Sequence, residues 1–129
     1  SFGGNPVSCA VGHAVLKVIE EEELQQNAKE VGDYLKSMLN ELKEKHSIIG
    51  DVRGHGLFLG EELVRDLDSL EPAGNEAEQI VNSMKEKGIL ISTDGPDHNV
   101  LKIKPPMIFT RENAIQLVET LNGILKLID

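Results

Sequence analysis

The strongest constraint on the fold of this chain is the spacing of Leu24, Ala28, Val31, Leu35, Met38 and Leu42, which advances in steps of four and three. Those steps hold one apolar stripe on one side of a 3.6-residue helix. The stripe needs a packed partner, and each larger apolar residue buried there contributes about 1.5–3 kcal/mol. The segment is read as a structural helix. A coiled coil is the rival reading, but it needs the heptads to run further than these do. A shorter helix comes first. Asn5 suits an N-cap and Pro6 the first helical position. Val11, Ala14, Val15, Val18 and Ile19 then recur at helical spacing to about Glu22. The acidic run at 20–23 marks a break or kink and otherwise a solvated face.

The rest of the chain reads as short strands and two more helices. Residues 48–64 read as strand, with Leu57, Leu59 and Leu63 alternating and Gly50, Gly54, Gly56 and Gly60 interrupting as bulges or close backbone approaches. Residues 66–75 read as a surface loop. Residues 76–87 form a helix that buries Ala77, Ile80, Val81 and Met84 and stops at Gly88. Residues 89–91 read as a buried strand, 94–97 as a turn, and 100–103 as a strand ended by Pro105-Pro106. Thr110 caps a last helix with Ala114, Leu117, Val118, Leu121, Leu125 and Ile128 on one face. The expected fold class is α+β: a short mixed or antiparallel sheet with helices on one face, preceded by a long helical segment. The chain is read as a single domain, 1–129, with a helical lead-in at 1–46 and a small α+β unit at 47–129.

Composition then excludes function classes. The 129 residues carry 13 Lys+Arg against 22 Asp+Glu, a formal charge of −9, so nucleic acid and anionic membrane surfaces are not expected as partners. No apolar run is long enough to span a bilayer. One cysteine, Cys9, excludes an internal disulfide, and it is expected as a small buried helix residue. The four histidines, at 13, 46, 55 and 98, have no metal-ligand spacing, so no metal site is expected. The glycines around His55 do not form a dinucleotide fingerprint, because the segment continues as strand. Arg53 is read as an ion-pair or domain-contact residue and His55 as a loop histidine.

Three segments, taken in order and spacing, resemble one family: Phe2-Gly3-Gly4-Asn5-Pro6, Gly50-Asp51-Val52-Arg53-Gly54-His55-Gly56-Leu57, and Leu101-Lys102-Ile103-Lys104-Pro105-Pro106. The chain resembles the C-terminal part of a class III aminotransferase, a fold-type I enzyme using pyridoxal phosphate. Residues 5–12 and 92–96 resemble most the branch of ethanolamine-phosphate and 5-phosphohydroxylysine phospho-lyases (alanine-glyoxylate aminotransferase 2-like).

The resemblance implies that this chain is the small C-terminal domain of a larger homodimeric enzyme acting on a small-molecule amine. The large domain with the cofactor lysine then lies outside it. No catalytic residue is expected here, neither Lys102 nor Lys104 is taken as the cofactor lysine, and the isolated chain is expected to be inactive. The resemblance places the Ser1 hydroxyl against the cofactor phosphate of the neighbouring subunit; a cloning remnant is the alternative reading of Ser1. Gly3 and Gly4 would let backbone approach that cofactor, though a plain tight turn explains them too. Lys102 stands where many such aminotransferases carry an Arg that grips a substrate carboxylate. Lysine is a compact charge without the planar fork. Lys102, with Lys104 on the same strand face, is therefore expected to contact a substrate phosphate; an exposed strand lysine is the alternative for Lys104. A phospho-lyase is the first reading, a transaminase moving an amino group to a keto acid the second, and a non-catalytic interaction module the third. The expected compartment is cytoplasmic, with the mitochondrion left open.

Overall fold

A computed structural model describes residues 3–128; the Ser1 expectation lies outside the described residues. Helix α1 spans Pro6–Glu21, and its start is fixed as the sequence suggests. The Asn5 side-chain oxygen accepts from the backbone N–H of Val7 at 3.0 Å and of Ser8 at 3.2 Å. The chain breaks at the acidic run, where Glu23 adopts a left-handed φ of 50°. Helix α2, Leu24–Lys43, follows.

The two helices differ in what they bury. Helix α2 buries Val31, Leu35, Leu39 and Leu42, with Met38 partly buried beside them. Helix α1 buries nothing: Val7, Val11, Val15 and Leu16 are each more than half exposed. Cys9 is exposed too, against the expectation of a buried thiol, because among the described residues nothing packs over α1 closely enough to bury any of its side chains.

The sheet comprises β1 (Ile49–His55), β2 (Phe58–Asp66), β3 (Glu71–Pro72), β4 (Ser92–Asp94) and β5 (Val100–Ile103). Its order is β1-β2-β5-β4, with β3 paired to the end of β2, and every pairing is antiparallel. Three sequence expectations change. Residues 48–64 form a hairpin that turns at Gly56 and Leu57 rather than one strand. Residues 89–91 are not a strand: Leu90 is 82% exposed, and pairing begins only at Ser92. The 66–75 loop contains β3 and the first two residues of helix α3, Gly74–Glu86. The bulge expected at Gly50 is present, as a register shift between Ile49 and Asp51.

Helices α2, α3 and α4 (Arg111–Leu125) pack on one face of the sheet. Leu35, Leu39, Ile80, Met84 and Leu121 meet Leu59, Leu63, Leu101 and Ile103 in one core. Thr110 caps α4 with a reciprocal pair: its hydroxyl accepts from the Asn113 N–H, and the Asn113 side chain accepts from the Thr110 N–H. His46 Nε2 lies 2.8 Å from Asn122 Oδ1 and ties the α2–β1 connection to α4. Near the middle of α2, Gly32 lies against the Gly56 backbone so closely that no β-carbon fits.

One core position breaks the apolar pattern. Glu61 stands on the inward row between Leu59 and Leu63, paired in register with Val52 and Leu101. It is fully buried, and neither carboxyl oxygen has a hydrogen-bond partner. Burial pushes its pKa up to about 8, so it is held in the neutral form at neutral pH.

Candidate functional site

The opposite face of the sheet carries the charges. Strand pairing sets Arg53, Gly60, Lys102 and Ser92 in one row and Asp51, Glu62, Val100 and Asp94 in the next. Side chains alternate between faces, so residues of these rows point away from the helices. Gly60 leaves bare backbone between Arg53 and Lys102; a β-carbon there would lie 3.1 Å from a Val100 methyl. The result is a cleft of about 540 Å³ with Gly60 in its floor, walled by Arg53, His55, Phe58, Asp94 and Lys102.

Each cation of this cleft has an anion beside it. The Lys102 ammonium lies 2.7 Å from Asp94 Oδ2, and the pair is partly exposed. The hydrogen bond from Lys102, with a further one from the Gly95 N–H at 2.9 Å, holds the Asp94 carboxyl below its usual range. The Arg53 guanidinium bridges Asp51, at 3.0 Å, and Glu62. Those two partners raise its pKa further, so the ion-pair reading of Arg53 holds. His55 is the last residue of β1 rather than a loop histidine.

Lys102 also borders a second cleft, of about 740 Å³, with Lys104, Leu90, Pro106 and Asn113. Lys102 and Lys104 therefore meet on one wall. The Lys104 ammonium lies 5.7 Å from the centroid of the Phe58 ring. Gly3 and Gly4 line neither of these clefts. They form an exposed turn before α1; Gly4 has φ +80°, and nothing lies within 4 Å of where either β-carbon would stand.

Two site residues escaped the sequence reading. Asp94 was expected only in a turn and Gly60 only as a strand interruption. Both acquire meaning from the register of β4 and β2 on β5, which no local spacing gives. Among the described residues, no three His, Cys, Asp or Glu side chains gather as a metal site, and no helix is long and apolar enough to cross a membrane.

The family model for aminotransferase class III matches residues 1–125. The chain belongs to that family. A Drosophila melanogaster relative named alanine–glyoxylate aminotransferase 2-like is 55% identical over 115 residues, covering 88% of this chain and 23% of the relative. A Caenorhabditis elegans relative named ethanolamine-phosphate phospho-lyase homolog 1 is 40% identical over 130 residues, covering 100% of this chain and 28% of the relative. Among solved structures, a phospholyase from Arthrobacter in complex with phosphoethanolamine superposes with a TM-score of 0.93 at 39% identity, covering 98% of this chain and 30% of that one. The chain thus spans about a quarter of the length of the curated relatives it matches. The family is one of enzymes, and pyridoxal phosphate is the cofactor it implies.

Whether the described residues fit that cofactor turns on Gly3 and Gly4, the two that the family resemblance sets against it. The Gly3-Gly4 turn presents backbone with no side chain and no neighbour in the way, as close approach of a phosphate-bearing ring requires.

Proposed function

We propose that the parent of this chain is a phospho-lyase that, with water, converts a phosphorylated amine into inorganic phosphate, ammonia and an aldehyde. The observation that carries the reading is Lys102 at the wall of the Gly60-floored cleft. A lysine ammonium there offers a point charge, suited to a phosphate oxygen, where a carboxylate grip calls for a guanidinium fork. The likeness to the phosphoethanolamine-bound phospholyase supports the same substrate class. In this reading Lys102 holds the phosphate of the substrate, and Lys104, just past the end of β5, adds a second positive charge on the same cleft wall. Gly3 and Gly4, with Ser1 before them, approach the cofactor of the neighbouring subunit in a homodimer. Pyridoxal phosphate, when bound, supplies the electron sink for the carbon that loses its proton. The lysine that carries it belongs to the large domain, so this chain binds and orients and does not itself react. The parent resides in the cytoplasm or, as some relatives' names have it, the mitochondrion.

The alternative is a class III transaminase, favoured by the 55% identity to an aminotransferase 2-like relative. The test is the full-length protein loaded with pyridoxal phosphate and given phosphoethanolamine without a keto acid. Phosphate release is the expected result. Silence without a keto acid, followed by amino transfer when one is added, overturns the proposal in favour of the transaminase. A parent without a cofactor lysine upstream would point instead to a non-catalytic module.

A further inference from the structure

We infer that Asp94 keeps the Lys102 cleft a weak binder of phosphate, so that the inorganic phosphate freed by the reaction is not retained. The inference rests on the reading of Lys102 as the residue that holds the substrate phosphate.

The geometry puts a fixed anion beside that ammonium. Asp94 is paired with Val100, two residues before Lys102 on β5, so both side chains stand on the outer face of the sheet. Asp94 Oδ2 lies 2.7 Å from the Lys102 ammonium. Its other oxygen, Oδ1, accepts the Gly95 N–H at 2.9 Å, a bond that does not involve the lysine. The carboxylate therefore stays in place when the ammonium turns to a ligand.

A phosphate that reaches Lys102 must first displace Asp94 and then sit beside its negative charge. Both effects weaken binding. The second grows with ligand charge, since a dianion is pushed away about twice as hard as a monoanion. Arg53, on the same cleft wall, brings little relief, because its guanidinium already bridges Asp51 and Glu62. The Lys102 and Asp94 side chains are 36% and 57% exposed, so water screens the repulsion to the scale of a surface ion pair.

The same weakening has different consequences for substrate and product. Both bring a phosphate to one ammonium. The substrate is also held at its amine end, whereas free phosphate has no second attachment. A lysine without the companion carboxylate would bind both more tightly and lengthen the stay of the product, a step that limits turnover in many enzymes. Asp94 acts through its charge and through Lys102, and it touches no reacting atom.

The experiment titrates the full-length, cofactor-loaded parent with inorganic phosphate at about pH 8, where the ion is mainly doubly charged. Affinity is read by calorimetry and as inhibition of phosphoethanolamine turnover. Asp94→Asn is expected to tighten phosphate by about fivefold in both, the scale of one exposed ion pair. Asp94→Glu, which keeps the charge, should stay near the value of the parent. Phosphate affinity that is unchanged or weaker in Asp94→Asn overturns the inference, because Asp94 then only holds the lysine in position. Lys102→Ala separates the two levels. If that variant binds phosphate and phosphoethanolamine as the parent does, the functional reading itself fails. If it weakens both while Asp94→Asn changes nothing, only the role of Asp94 is lost.

Discussion

Gly32 of α2 and Gly56 of the β1–β2 turn touch backbone to backbone, with the Gly56 carbonyl occupying the space a β-carbon on residue 32 would need. That contact sets how closely the seam helix lies on the hairpin. Gly32→Ala must push the two apart, and the core residues Val31 and Leu35 move with it. The expected loss is about 3 kcal/mol, at the upper end for overpacking. A urea titration reads it as a lower midpoint; an unchanged midpoint would show that the contact is not tight.

Glu61 predicts a pH dependence. Its carboxyl is held to about 8 in the folded chain against an ordinary value of 4.5. Between those values the native state keeps a proton that the unfolded state has released. Stability is therefore greatest below the unfolded value and falls as pH rises, by about 1.4 kcal/mol per unit until the folded group ionises. Glu61→Leu should remove this slope, so its advantage over the parent sequence is larger at pH 8 than at pH 5. Parallel stability curves for the two proteins would contradict the burial.

Asn27 holds the segment after β5. Its side-chain N–H groups donate to the carbonyls of Met107, at 2.7 Å, and Phe109, at 3.1 Å. The Arg111 guanidinium, 5.1 Å from the Tyr34 ring centroid, reinforces the link to α2. Asn27→Ala should cost about 1–2 kcal/mol for the two bonds. Faster amide exchange at 107–110, with the sheet unchanged, is the expected signature.

Lys102→Ala in the full-length enzyme should raise KM for the phosphorylated amine by at least about tenfold, as loss of a charge-assisted bond implies. The turnover number should change far less, since in the proposed role the group binds and does not react. Steady-state kinetics of the variant decide the matter. A fall in turnover at constant KM would move Lys102 out of substrate binding.

Much of this architecture is legible in the sequence because it is local. Asn5 with Pro6, and Thr110 before the α4 stripe, announce helix starts, since a cap is a contact between near neighbours. The stripe of α2 is legible for the same reason. The hairpin turn escaped because Gly56-Leu57 lacks the usual Asn-Gly or Asp-Gly pair and places a buried leucine in the bend. Residues 89–91 looked like a strand on apolarity, yet the edge strand is the polar Ser92–Asp94, selected by register on β5. Lys102 was found through the family resemblance, whereas Asp94 and Gly60 join it only once three strands lie side by side. The inward position of Glu61 follows from the Leu57, Leu59 and Leu63 alternation, but a carboxyl in such a place contradicts propensity and so passed unnoticed.

Helix α1 leaves all its valines in water, so its order within this chain rests on its own backbone hydrogen bonds and the Asn5 cap. A helix of 16 residues held by those alone is marginal. The sheet and its three packed helices have no such dependence. Two exchange lifetimes are expected within one chain: slow amides in the body that holds the core, and fast ones in a leading helix that buries nothing. Amide protection of α1 in the full-length protein, set against that in this chain, would report whether and when something comes to cover it.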